Sequence, residues 1–254
     1  MADSKRDWTR LVTGAALVLG VGSVAAALVA AVGSAADMWS FRAGLGALRY
    51  LFYAAIAGAL LGLIGLILAR RRARPMLANL LALVVALGFV LYLGSLVRTA
   101  KSVPAIHDVA TDLEDLPRFS RLKVRADNLE NIPDEGKPEL KAMPPEDRWK
   151  ALHRAHYGDI RTLRLDIPPA EAVRRAAALA ADRGWQVALV DEDGVEATAT
   201  STFFRFKDDV VVRVRPAPGG GSLVDMRSIS RVGGSDVGMN AKRIRAFLAD
   251  LRSR

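Results

Sequence analysis

The chain has 254 residues, a formal net charge of +9 and no cysteine. The missing thiols exclude disulfides and thiolate catalysis. The charge suggests a nucleic-acid partner until it is divided: residues 1–98 carry ten Lys or Arg against three acids, while residues 99–254 carry 26 against 24. The near-neutral second part argues against nucleic-acid binding, and the excess of cations sits beside apolar segments instead.

Three apolar runs, Leu11 to Val32, Leu51 to Ala69 and Met76 to Val97, lack charges, and each has about the 20 residues a helix needs to cross a bilayer. They predict a three-helix transmembrane part over residues 1–98. Lys5, Arg6 and Arg10 precede the first run, and Arg70, Arg71, Arg72 and Arg74 fill the turn between the second and third. By the positive-inside rule both segments are cytoplasmic, and the third helix delivers residues 99–254 to the far side. Arg42, Arg49, Arg98 and Lys101 point the other way but are outnumbered. The first run is longer than the roughly 7 to 15 apolar residues of a cleavable signal, which favours an uncleaved span.

Small residues recur at Gly22, Ala26, Ala30 and Ser34, and again at Ala54, Gly58 and Gly62. That spacing lets helix backbones approach closely in lipid, within one chain or in a homo-oligomer. Gly20, Gly22 and Ala25 match a dinucleotide fingerprint, but no strand precedes them, so they read as packing residues. No ionisable side chain lies inside a span, which disfavours a transporter.

From residue 99 to 147 the chain is polar and interrupted by prolines, an irregular juxtamembrane wrap. Ile106, His107, Asp108, Thr111 and Asp112 form a compact polar cluster within it. Glu146 to Tyr157 predicts a short helix. His153 and His156 lie three apart on it, near Asp159, yet without a convincing third ligand no metal site is assigned.

Residues 148–254 predict an α+β domain. Ile160 to Ile167 alternates as a strand, and Ala170 to Arg183 is a helix opened by Pro168 and Pro169. Further strands follow at Trp185 to Val190, Val195 to Phe204, Asp208 to Arg215 and Leu223 to Ser230, with Asp193 and Gly194 in a tight turn. The triple glycine after Pro218 reads as a flexible hairpin, because no helix starts behind it. A last helix, capped by Ser235 or Asp236, runs to about Leu251. The order implies a mainly antiparallel sheet with helices on one face; by analogy with helix-grip folds, sheet and last helix can enclose an apolar pocket.

Polar residues concentrate at the end of this domain: Asp225, Arg227, Ser228, Ser230, Arg231, Ser235, Asp236, Asn240 and Arg243. Three readings compete. In the structural one Arg227 and Arg231 pair with acids such as Asp208, Asp209 or Asp225, and Ser235 or Asp236 caps the helix. In the binding one Arg227, Arg231 and Arg243, with the helix start, hold an anionic group. In the catalytic one His107, oriented by Asp108 or Asp112, activates Ser228 or Ser230. Geometry separates them.

The runs IHDVATD (106–112), AHYGDI (155–160), GW (184–185), EATATSTFFRFKDDVVVRV (196–214) and DMRSISRVGGSDVGMNAKRIRAFL (225–248) resemble a bacterial and plastid domain family of unknown function. Some of its members similarly place hydrophobic helices before the domain, whereas the proline-rich residues 120–146 are less typical of it. The resemblance supports the domain boundary and names no reaction.

The sequence therefore predicts a multi-pass protein of a bacterial inner membrane, N-terminus cytoplasmic and C-terminal domain periplasmic. That domain is expected to bind a lipid, another anionic small molecule or a protein partner at the bilayer surface through His107, Asp108, Asp112 and the Asp225 to Arg243 constellation. The alternative is a membrane-anchored hydrolase using His107 and a serine of residues 225–235. No cofactor is expected.

Overall fold

The structure is a computed structural model that describes residues 8–253; Lys5 and Arg6 of the expected cytoplasmic flank lie outside them. The chain divides into two compact units, one of residues up to Arg98 with Thr202–Phe204, the other of Thr99–Ser201 with Arg205 onward.

α1 (Trp8–Ala35) and α2 (Phe41–Arg71) of the first unit, and α3 (Leu77–Ser102), whose last turn is counted with the second, are each long and apolar enough to cross a membrane. α2 begins well before the apolar run at Leu51 because Ser40 caps it, its Oγ accepting from Ala43 N at 3.2 Å. Close packing explains the glycines: a Cβ at Gly58 would lie 2.4 Å from Gly20 N, and one at Gly65 would lie 2.0 Å from Asn79 Oδ1. The packed face of α1 is Ala16, Gly20, Ser23, Ala27, Ala30 and Ser34. Ala26 of the expected stripe is exposed, and a Cβ at Gly22 would meet nothing within 4 Å. Arg72 Nη1 donates to Thr9 Oγ1 at 2.8 Å, so the start of α1 and the end of α2 lie at one end of the helix pair.

The second unit is built on a six-stranded antiparallel sheet ordered β1-β6-β5-β4-β3, with β2 also on β6. The strands are β1 (Asp108–Ala110), β2 (Leu163–Leu165), β3 (Gln186–Val190), β4 (Gly194–Thr200), β5 (Lys207–Pro216) and β6 (Ser222–Ser230). β6 pairs with β5 over its whole length, while its other edge is shared by β2 opposite Ser222 to Val224 and β1 opposite Arg227 to Ile229. The helices are α4 (Pro138–Lys141), α5 (Pro145–Tyr157), α6 (Pro169–Asp182) and α7 (Met239–Ser253).

Strand alternation gives the sheet two unlike faces. Val195, Ala197, Val210, Val212, Val214, Val224 and Met226 join one buried core with Ala176 and Leu179 of α6 and Ile244, Phe247 and Leu251 of α7. Trp185 stacks on Phe247 with centroids 5.3 Å apart. The residues between them, Glu196, Thr198, Asp209, Arg213, Asp225 and Arg227, put charge on the opposite face. The polar wrap after β1 covers that face: the Glu196 carboxylate accepts from Ser120 N (2.5 Å), Ser120 Oγ (2.7 Å), Arg121 N (3.0 Å) and Leu122 N (2.6 Å).

Several expectations are corrected. The cluster around His107 is partly a strand, because Asp108 to Ala110 find ladder partners on β6; α5 then closes the outer edge, Trp149 Nε1 donating to Asp108 O (2.8 Å) and Ala110 N to His153 Nε2 (3.2 Å). β4 stops at Thr200 rather than Phe204, since Ser201 and Phe206 bond to each other and close a loop. α7 starts at Met239 rather than directly behind the expected cap, Ser235 or Asp236, because Val237 (φ 56°) and Gly238 (φ 77°) take the left-handed conformation. The expected pocket between sheet and α7 is occupied by Met226, Ile244, Phe247 and Leu251, each at most 1% exposed.

Candidate functional site

β6 carries the polar constellation because its alternation sends Asp225 and Arg227 to the charged face and Ser228 and Ser230 toward α7. Asp225 is fully buried and accepts from Thr111 Oγ1 (3.0 Å), Thr162 Oγ1 (2.6 Å), Arg213 (3.1 Å) and Arg215 (2.7 Å). Burial alone would raise its pKa, but the bonds from Thr162, Arg213, Thr111 and Arg215 outweigh it and hold the carboxyl below its usual value. Asp112 joins the same knot through Arg213 (3.3 Å) and Arg215 (3.4 Å).

Arg227 is buried in a two-toothed pair with Asp108, Nε to Oδ1 at 3.0 Å and Nη2 to Oδ2 at 2.7 Å, and Asn128 Nδ2 donates to Asp108 at 2.6 Å. Arg243 binds Asp208 (2.5 Å) and Ser228 Oγ (2.9 Å) and also donates to Asn240. Asn240 in turn accepts from Ser228 Oγ (2.7 Å) and donates to Ser230 Oγ (3.0 Å) and His107 O (2.9 Å). Asp236 bridges the left-handed turn, accepting from Gly238 N (2.8 Å) and Asn240 N (2.5 Å), while Ser235 Oγ accepts from Val237 N. Burial raises the Asp236 pKa despite those two amides.

The expected hydrolase arrangement does not form. His107 is 6% exposed and neither ring nitrogen has a hydrogen-bond partner among the described residues, while both candidate serines bond to Asn240. His153 is a core residue whose pKa burial lowers to about 4, and His156 lies 3.6 Å from Glu135 rather than joining it. No group of three or more His, Cys, Asp or Glu suited to a metal occurs among the described residues.

Arg227 and Arg243 are thus committed to acids inside the fold, and of the three arginines of the binding reading only Arg231 is half-exposed. It pairs with Asp209 through Nε (2.8 Å) and Nη2 (2.8 Å), its side chain is 42% exposed, and it lines a cleft of about 290 Å³. Ser230, Ile229 and Asp209 form the floor, and Phe119, Lys123, Val124 and Arg125 of the wrap form the wall. Arg125 is bound to Asp127 (2.6 Å, both teeth) and to Gly233 O (2.6 Å). Lys123 is exposed and has no hydrogen bond or ion pair among the described residues.

The family model of a protein of unknown function, DUF1499, matches residues 108–251, more than half of the chain. The chain belongs to this family. Among curated proteins nothing matches it. The DUF1499 match begins at the first residue of β1 and ends within α7, so it spans all six strands, α4 to α6 and most of α7.

The four wrap residues of the cleft were missed by sequence reasoning. A signal was present: Phe119 and Val124 are apolar and interleaved with Arg118, Lys123 and Arg125 in an otherwise polar stretch.

Proposed function

We propose that this DUF1499 protein is a multi-pass protein of a bacterial inner membrane whose extracytoplasmic domain binds an amphiphile with an anionic head in the Lys123 and Arg231 cleft. The observation that carries the reading is the cleft's composition. Three cations, Lys123, Arg125 and Arg231, line the cleft with one acid, Asp209, and with apolar Phe119, Val124 and Ile229. Lys123 and the Nη1 of Arg231 are left with donors to offer, which suits a carboxylate or phosphate head. The apolar lining suits a chain.

The far-side placement is supported by cations. Arg10 and Arg70 to Arg74 flank the ends of α1 and α2 that the Arg72 to Thr9 bond brings together.

The test uses the full chain in nanodiscs, with oleate and lysophosphatidylglycerol as probes and bound probe counted by native mass spectrometry. Lys123→Ala leaves every internal ion pair intact and is expected to weaken binding about tenfold, the effect of losing one charged contact of about 1.4 kcal/mol. Arg231→Ala is expected to act in the same direction but also to strand the Asp209 carboxylate. Failure of both probes to bind the unaltered protein, or binding indifferent to Lys123→Ala, would overturn the proposal.

A further inference from the structure

β3 ends the sheet with no strand on its outer side among the described residues, and four of its five residues are exposed. Edge strands are ordinarily blunted by Lys, Pro or inward-pointing charges; Gln186-Val-Ala-Leu-Val190 carries none of these. It does carry a bulge, whose effect is local. Val187 pairs with Ala197 and Leu189 with Glu196, so Ala188 has no partner on β4. Strict alternation would keep Leu189 on the core face with Val187; the bulge turns it to the charged face beside Glu196. There Leu189 lines a cleft of about 270 Å³ with Val211, with Asp115 and Arg118 of the wrap, and with Asp191 and Asp193 of the β3–β4 turn. Asp115 is taken up by Arg213 (2.8 Å), whereas Asp191, Glu192 and Asp193 are exposed and have no ion-pair partner among the described residues.

We infer that β3 takes up an extended basic segment of a partner protein as a further strand of the sheet. Backbone groups on its outer side supply the ladder, and the side chains set the partner's pattern. On the core face Val187 and Val190 are 37% and 48% exposed and suit apolar side chains. On the charged face Leu189 and the acids of the turn suit Lys or Arg, whose stem packs on the leucine while its head reaches the carboxylates. Successive residues of a strand point to opposite faces, so the segment alternates Lys or Arg with Val or Ile. A second copy fits less well. Antiparallel self-pairing about Ala188 sets Asp191 to Asp193 of one chain against Arg183 to Trp185 of the other. Arg183 is already bound to Asp250 (2.6 Å) and lies over the Trp185 and Phe247 rings, which leaves the acids unmatched. None of these residues lines the Lys123 and Arg231 cleft, so the inference is independent of that reading.

The test uses the full chain in nanodiscs of phosphatidylcholine, which has no net charge and so does not itself collect a basic peptide. The probe is a heptapeptide with blocked ends, Thr-Val-Lys-Val-Lys-Val-Thr, and the same peptide with glutamates for lysines is the control. The lysine peptide is expected to bind several-fold tighter than the control and to slow amide hydrogen exchange at Gln186–Val190. Asp191→Asn together with Asp193→Asn keeps an acceptor for the turn bond from Asp193 N to the side chain of residue 191 (3.1 Å). The pair should weaken binding about fivefold, the worth of two exposed ion pairs. Equal binding of the two peptides, exchange in β3 unmoved by bound peptide, or affinity indifferent to the double substitution would overturn the inference. So would slow exchange in β3 without peptide in discs that native mass spectrometry shows to hold two chains, which would give the edge to a second copy.

Discussion

Glu196 ties the wrap to the sheet with a single carboxylate, reaching amides up to 76 residues away. Its pKa lies below the usual value: burial pushes it up, but the Leu122, Arg121 and Ser120 amides prevail. Glu196→Ala strands those donors, so we expect a loss of about 2–4 kcal/mol of stability and faster amide hydrogen exchange at residues 120–122. Exchange as slow as in the parent would contradict the role. Arg227→Met leaves the Asp108 charge buried with Asn128 as its remaining side-chain partner, and its expected destabilisation, about 3–5 kcal/mol, is read from the melting midpoint in detergent.

His153 sets a pH dependence of its own. Its folded pKa of about 4 lies below the roughly 6.5 of a free histidine, so the unfolded chain takes up the proton first. Stability is complete above about pH 6.5 and falls by about 3 kcal/mol as pH drops toward 4. His153→Gln keeps an acceptor for Ala110 N and should flatten melting midpoints across that window. Glu196 and Asp225, whose values are lowered, contribute stability that is present above the ordinary carboxylate range and lost below it. Their loss therefore comes at lower pH than the onset of the histidine's.

At the scale of elements, legibility followed periodicity. The alternation of Asp208 to Arg215 and Leu223 to Ser230 announced both faces of the central strands, and the stripe Val173, Ala176, Ala177, Ala180 announced α6. β1 was hidden because three residues have no period; it is a strand only because β6, about 120 residues on, supplies partners. The same reason hid half the cleft, since Lys123 and Val124 are placed by the grip of Glu196 on the neighbouring amides. Arg227 and Arg243 looked like anion ligands in sequence, but their acids, Asp108 and Asp208, are distant along the chain and adjacent in the sheet. Glycine spacing in the helices was readable as close packing, though not which glycine meets which helix. The Gly58 contact with Gly20 N makes Gly58→Leu a test: a large side chain there must part α1 from α2, and we expect a lower melting midpoint, whereas Gly22→Leu, with open space around it, should leave the midpoint unchanged.

For the whole molecule, three candidate spans and a DUF1499 domain make a membrane protein of unknown activity, and the proposals add where the domain works and on what. The cleft and the start of β1 belong to one end of the sheet. Everything proposed for the domain's surroundings depends on the side of the membrane it occupies. Alkaline phosphatase and a green fluorescent protein, fused in separate constructions behind Arg254, read that side directly. The account predicts active phosphatase and a dark fluorescent fusion; bright fluorescence with inactive phosphatase would place the domain in the cytoplasm and contradict it.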